Sequence, residues 1–103
     1  MTDQTKAIIE AIKSIPPGKV TSYGEVGRMA GALGGLSPVG ARQVARILHT
    51  CSRQYNLPWH RVVSAQKKIS LPPGGGREEQ AALLLSEGVE VSENGRISGE
   101  FFL

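Results

Sequence analysis

Apolar residues recur at helical spacing in three stretches of the chain, and proline or glycine interrupts each one. In residues 3–15, DQTKAIIEAIKSI, Ile8, Ile12 and Ile15 share one helical face while Lys6, Glu10 and Lys13 fall elsewhere. Pro16, Pro17 and Gly18 end that helix. In KVTSYGEVGRMAG, Ser22 and Glu25 fit the Ser-x-x-Glu capping box, so a short helix is expected from Ser22 to Gly31. The loop ALGGLSP, flexible at its glycines, closes on Ser37-Pro38, a cap followed by a residue suited to the first helical position. In the helix expected next, VGARQVARILHT and onward, Val44, Ile47, Leu48 and Cys51 follow i, i+3, i+4, i+7 spacing and should face the core.

Beyond Pro58 the apolar runs shorten. RVVS and ISL are expected to form a short hairpin around AQKK, and SLPPGGG a loop with little intrinsic order. REEQAALLLSEG reads as a last helix, acidic in its first turn and stopped by Gly88. VEVSENGRIS reads as a hairpin turning at Asn94-Gly95. The expected architecture is mainly α with small β pieces, one domain over residues 1–103. Its central helix pair forms a winged-helix-like helix-turn-helix with a long turn.

Composition narrows the function classes. A chain of 103 residues supports one modest core. No apolar run reaches membrane-spanning length, and MTDQTKAIIE lacks the basic and long apolar segments of a secretory signal. A single cysteine excludes an internal disulfide and suits a reducing, cytoplasmic compartment. Two histidines and that cysteine, scattered along the chain, argue against a structural zinc site. The formal net charge is only +3, with an isoelectric point near 9.4, so an anionic partner is permitted and the placement of charge decides.

That placement is informative. Arg42, Arg46, His49 and Arg53 follow nearly helical spacing on a face away from the core set, with no acid between them. Gly40 and Ala41 stand at the start of the same helix and allow close approach to its backbone. A charge run of this kind is ordinarily a solvated helix face; behind a small-residue entry it equally suits a nucleic-acid backbone. Tyr23 reads locally as an aromatic capping a core edge with its hydroxyl wet. Cys51, on the apolar face, reads as a small buried hydrophobe, with no helix N-terminus or cation to make it a thiolate. Glu87 is an acid at a helix end where the dipole disfavours one. The segment LPWHRVV, Leu57 to Val63, looks like a reactive corner built around an indole that is neither nucleophile, base nor metal ligand.

Taken in order, KVTSYGEVGRMAG, VGARQVARIL, LPWHRVV and LLLSEG resemble the DNA-binding domain of the O6-alkylguanine-DNA alkyltransferases over about residues 5–92. Their signature Pro-Cys-His-Arg-Val stands here as Pro58-Trp59-His60-Arg61-Val62, the pattern of the short alkyltransferase-like members that bind alkylated DNA without repairing it. The larger members' N-terminal domain is not matched. The resemblance implies that Tyr23 presses on a phosphate and helps rotate the target nucleotide. It implies that Arg42 is the finger filling the space of the extruded base from the minor groove, with Gly40, Ala41 and Arg46 in the DNA contact. His60 and Glu87 occupy the positions that activate the transferase cysteine. Without a thiolate that relay has no chemistry to serve, so the pair is expected to persist as structural support. Trp59 would be a flat wall for the flipped base, and backbone groups of Trp59 and Val62 would contact the guanine edge. Where the transferases carry Tyr-Ser-Gly-Gly, this chain has Pro73-Gly74-Gly75-Gly76, which would loosen guanine contacts and admit bulkier adducts. Cys51 stands where many transferases have asparagine.

The resemblance therefore implies a monomeric, cytoplasmic protein, nucleoid-associated if bacterial, with no cofactor, metal or catalytic residue. Its partners would be duplex DNA containing O6-alkylguanine and nucleotide excision repair proteins. Two further readings stand beside it: an alkyl-transfer enzyme using Cys51 as acceptor, and a sequence-specific winged-helix regulator in which Trp59 is structural.

Overall fold

The computed structural model describes residues 2–34 and 37–103. Helix α1 (Asp3–Lys13) starts where the Thr2 hydroxyl accepts the Thr5 N–H at 3.1 Å. Asp3 in its first turn and Lys13 in its last complement the helix dipole. Ile8 and Ile12 are completely buried, as expected, and Ile15 follows them just beyond the helix. Gly18, at φ +85°, then turns the chain into strand β1 (Thr21–Ser22).

Helix α2 (Tyr23–Gly34) is capped by Ser22, whose Oγ accepts the Glu25 N–H at 3.1 Å. Only that half of the capping box forms, because the Glu25 carboxylate pairs with Arg28 instead. The helix also passes through Gly31 rather than stopping there. Gly27 and Gly31 are buried contact points: an added Cβ would lie 1.8 Å from the Val39 carbonyl oxygen at Gly27 and 2.8 Å from the Pro38 Cα at Gly31. The chain from Ser37 to Gly40 lies against this strip without forming helix, and the Val39 N–H donates to the Gly27 carbonyl at 3.0 Å. That packing overrides the local preference for a helix starting at Ser37-Pro38. Helix α3 (Ala41–Tyr55) begins three residues later, with Gly40 at its cap. Gly35 and Leu36, the centre of the loop expected to be flexible, lie outside the described residues.

In α3, Val44, Ile47 and Leu48 are buried and Cys51 is half-buried, as the spacing predicts. The helix ends on Asn56 in the left-handed conformation, φ 51°, whose N–H returns to Arg53 and Ser52. A 3-10 turn (Trp59–Arg61) leads into strand β2 (Val62–Val63), which pairs parallel with β1 in the register Thr21↔Val62 and Ser22↔Val63. The hairpin expected between RVVS and ISL therefore does not form as a two-stranded unit. Its turn closes, with the Ser64 N–H bonded to the Lys68 carbonyl at 3.0 Å. Beyond it, Lys68 bridges to Arg96 and the Ile69 N–H reaches the Gly95 carbonyl at 2.8 Å. Val62 and Val63 are both fully buried, a demand that parallel pairing between two packed layers meets and an exposed hairpin does not.

Helix α4 (Arg77–Ser86) is followed by Gly88 at φ +85°, as expected. The last hairpin forms through the Val91↔Ile97 bridge, with Gly95 alone in the left-handed region, φ +79°. The chain then closes on the free edge of β1: the Val20 N–H donates to Phe101 at 2.9 Å and the Leu103 N–H to Val20 at 3.1 Å. Two apolar clusters result. One joins α1, α2 and α3 with Leu57 and Val62; the other joins Val20, Val63 and Ile69 with Leu84 of α4, Val89 and Ile97. Consecutive residues of β2 thus point into opposite clusters, and the strand is their common wall. The Trp59–Arg61 turn is anchored directly to it. No helix among the described residues is long and apolar enough to cross a membrane.

Candidate nucleic-acid interface

The corner at Trp59 is made rigid by short backbone bonds. Its N–H donates to the Leu57 carbonyl at 2.8 Å, and the Arg61 N–H to the Pro58 carbonyl at 3.1 Å. The half-buried indole meets the His60 ring edge to face, centroids 6.2 Å apart. It forms one wall of an open cleft of about 510 Å³, within the usual range of roughly 300–1,000 Å³ for ligand pockets. Tyr23 lines the same cleft from the start of α2, its hydroxyl 3.5 Å from Ser70 Oγ. Ala45, Leu48, His49 and Ser52 of α3, with Ser70, Leu71 and Gln80, complete the lining.

Of the residues expected at the pocket, the structure puts Trp59 on the cleft, joined there by Tyr23, a residue expected at the DNA phosphate. His60 and Glu87 stand behind the corner, His60 Nε2 2.9 Å from Glu87 Oε2. Val62 is fully buried beneath it. Pro73 and Gly74 are exposed in the turn before α4 and are not among the lining residues; Ser70 and Leu71 occupy that side instead. Gly74 has a local role there, its N–H donating to Glu78 at 2.8 Å.

Glu87 has a second partner that its pairing with His60 did not suggest. Arg61 donates to it through Nη2 at 2.6 Å and through Nε at 3.1 and 3.2 Å, while Arg61 Nη1 ties the Ile15 carbonyl at 2.8 Å. The Gly18 N–H adds a contact to Glu87 Oε1 at 3.2 Å. The Arg61 guanidinium is the largest influence holding the Glu87 carboxyl at about 2; burial opposes it, and His60 and the Gly18 amide assist. An acid unfavourable to the helix dipole is thus retained because it joins α4, the Trp59 corner and the end of α1 at one point. The arginine fork next to the histidine was the available signal in the sequence.

On α3, Gly40, Ala41, Arg42, Arg46, His49 and Arg53 are all exposed, and an added Cβ at Gly40 would meet nothing within 4 Å. The ion pairs among the described residues involve Glu25 and Glu87, so the α3 arginines carry charge that no acid in the described structure neutralises. His49 and Ala45 lie on both the exposed face and the cleft lining, so the basic stripe borders the mouth of the cleft. No cluster of three His, Cys, Asp or Glu able to hold a metal occurs among the described residues.

Residues 3–89 match the family described as 6-O-methylguanine DNA methyltransferase, DNA binding domain. The chain belongs to this family. Among relatives of this methyltransferase-family domain, a DNA base-flipping protein of Vibrio parahaemolyticus is 43% identical over 91 residues, spanning 88% of this chain and 85% of the relative. The fold superimposes on Schizosaccharomyces pombe Atl1, solved in complex with damaged DNA containing O6-carboxymethylguanine. The TM-score is 0.83 at 29% identity, over 100% of this chain and 96% of that one. Mycobacterium tuberculosis O6-methylguanine methyltransferase matches with a TM-score of 0.62 and 29% identity over 84% of this chain, which is 49% of the enzyme. The mainly helical architecture with a two-stranded sheet is accordingly that of the family's DNA-binding domain.

Proposed function

We propose that this protein is a non-enzymatic sensor of alkylated DNA, which docks α3 in the minor groove, rotates an O6-alkylguanine into the cleft and holds it against Trp59. The observation that carries this reading is the presence of an indole in the wall of the cleft, at the position where the transferase signature has its cysteine. A flipped base needs a flat apolar surface, which Trp59 and the apolar lining supply, and alkyl transfer needs a thiolate, which Trp59 is not. Cys51 is half-buried and is not among the lining residues, so nothing in the geometry favours it as a substitute acceptor. The unneutralised arginines bordering the cleft suit the phosphate backbone. In this reading the protein acts as a monomer on chromosomal DNA and marks the lesion for nucleotide excision repair.

The test is affinity for a duplex containing one O6-methylguanine against the same duplex with guanine. The alkylated duplex should bind at least about tenfold more tightly, and both affinities should fall steeply with salt, with a log–log slope of about −2 or steeper. Equal affinity for the two duplexes overturns the proposal. Arg42→Ala should weaken binding to both duplexes by about tenfold or more, since it removes both a charge and the stacking finger. Trp59→Ala should leave plain-duplex affinity near native while cutting the preference for the alkylated duplex several-fold, read in the same titrations.

A further inference from the structure

Away from α3, two cations face each other without a counter-charge. Lys68 and Arg96 are partners in an isolated antiparallel bridge. The Ile69 N–H donates to the Gly95 carbonyl at 2.8 Å and the Ile97 N–H to the Lys67 carbonyl at 2.9 Å, so these bonds flank the pair rather than join it. That is the close kind of antiparallel pair, with Cα atoms about 4.5 Å apart and both side chains on one face. Like charges directly opposite each other destabilise a ladder. Neither residue belongs to an ion pair among the described residues. Glu90 lines a surface cavity with Lys67 and Arg96 and pairs with neither. Lys67 turns toward the C-terminal segment, its ammonium 5.7 Å from the centre of the Phe102 ring.

Burial shows which way the pair points. Ile69 and Ile97 are buried in the second apolar cluster, whereas Lys68 is half-buried and Arg96 and Ser70 are exposed. Side chains alternate along a strand, so Lys68 and Ser70 share the face opposite Ile69. Ser70 lines the cleft, its Oγ 3.5 Å from the Tyr23 hydroxyl. Cations therefore stand on two sides of the cleft, the α3 arginines on one and Lys68 with Arg96 beyond Ser70 on the other. Two like charges held together against the preference of the ladder call for a counter-charge from outside the chain.

Resting on the DNA-binding reading above, we infer that Lys68 and Arg96 form a second phosphate-binding site, on the Ser70 side of the cleft, for the DNA backbone beside the extruded nucleotide. A guanidinium forks onto a phosphate and an ammonium meets it as a point charge, so the two suit neighbouring phosphates. Such contacts hold the duplex in register and carry no information about the base.

The test measures affinity for the O6-methylguanine and plain duplexes over a salt series, using native protein, the Lys68→Gln/Arg96→Gln double variant and Arg96→Glu. The double variant should bind both duplexes about tenfold or more weakly, with a log–log salt slope shallower by about one to two. Its preference for the alkylated duplex should stay within about twofold of native. Arg96→Glu sets opposite charges across the bridge, so it should melt a few degrees above native while binding both duplexes more weakly. A double variant with native affinity and slope overturns the inference, because the pair is then only solvated charge. An Arg96→Glu protein that melts below native also overturns it, since the arginine then serves the fold. So does a double variant that loses the preference for the alkylated duplex, which would place the pair in base recognition. If Arg42→Ala weakens binding and these variants do not, this inference fails alone. A native protein whose duplex affinity does not fall with salt defeats the DNA-binding reading beneath it.

Discussion

Replacing Glu87 with alanine is expected to lower stability by about 3 kcal/mol and the thermal midpoint by roughly 15 °C. The side chains of His60, Arg61 and Glu87 are only 12–14% exposed, so the substitution leaves a guanidinium poorly hydrated and without its counter-charge. Three parts of the fold separate at once, because Arg61 also binds Ile15 and Glu87 also binds Gly18. The acid–base equilibrium points the same way, since the Arg61 guanidinium holds the Glu87 carboxyl at about 2, well below an ordinary glutamate. Because the folded state lowers this value, the stabilisation is fully present above about pH 4.5 and is lost as pH falls toward 2. Thermal melts of the native protein between pH 6 and pH 2 should show that loss, and Glu87→Gln should lack this component of it. A Glu87→Ala protein melting within a few degrees of native would show that the network does not hold the corner.

Gly27→Ala should be comparably damaging, by about 1–3 kcal/mol, although alanine is the better helix former. Its Cβ would lie 1.8 Å from the Val39 carbonyl oxygen and 2.9 Å from the Val39 carbonyl carbon, which are backbone atoms with no rotamer to change. The propensity gain is about 1 kcal/mol. Against it stand the displacement of the 37–40 segment, of the size of an overpacked core at about 1–3 kcal/mol, and the loss of the Val39 N–H bond to Gly27, about 1 kcal/mol. Since that segment delivers the chain to the start of α3, binding to either duplex should also fall. Gly24→Ala in the preceding turn of the same helix is the control, because a Cβ there meets nothing within 4 Å. It should be neutral or slightly stabilising in urea denaturation. Equal behaviour of the two variants would refute the close-packing account of Gly27.

How much was legible follows from the range of the interactions. The isoleucine spacing of α1, the Ser22 cap and the α3 apolar spacing act within one or two helical turns, so α1, the start of α2 and the buried face of α3 are legible directly. Gly31 reads as a helix stop in one dimension, where a glycine admitted for close packing looks the same as one that terminates a helix. Ser37-Pro38 carries the local signal of a helix start, which contact with α2 outweighs. RVVS locally suggests a nearby hairpin partner, whereas both valines are buried by pairing with a strand from the N-terminal part of the chain.

The sequence by itself determined that the domain is mainly helical, that one face of α3 is basic and free of acids, and that the reactive-looking corner has an indole at its centre. Those are properties of local spacing and of side-chain chemistry, which no packing can alter. Only the tertiary structure decided that Tyr23 and Trp59 line one cleft, that Ser70 and Leu71 flank it in place of Pro73 and Gly74, and that Gln80 holds its wall. It alone showed that Glu87 is bound chiefly by Arg61, 26 residues away, with help from Gly18, 69 residues away. Such partners are chosen by which surfaces the parallel β1–β2 pairing and the two apolar clusters bring together, and that choice is made by the whole chain at once.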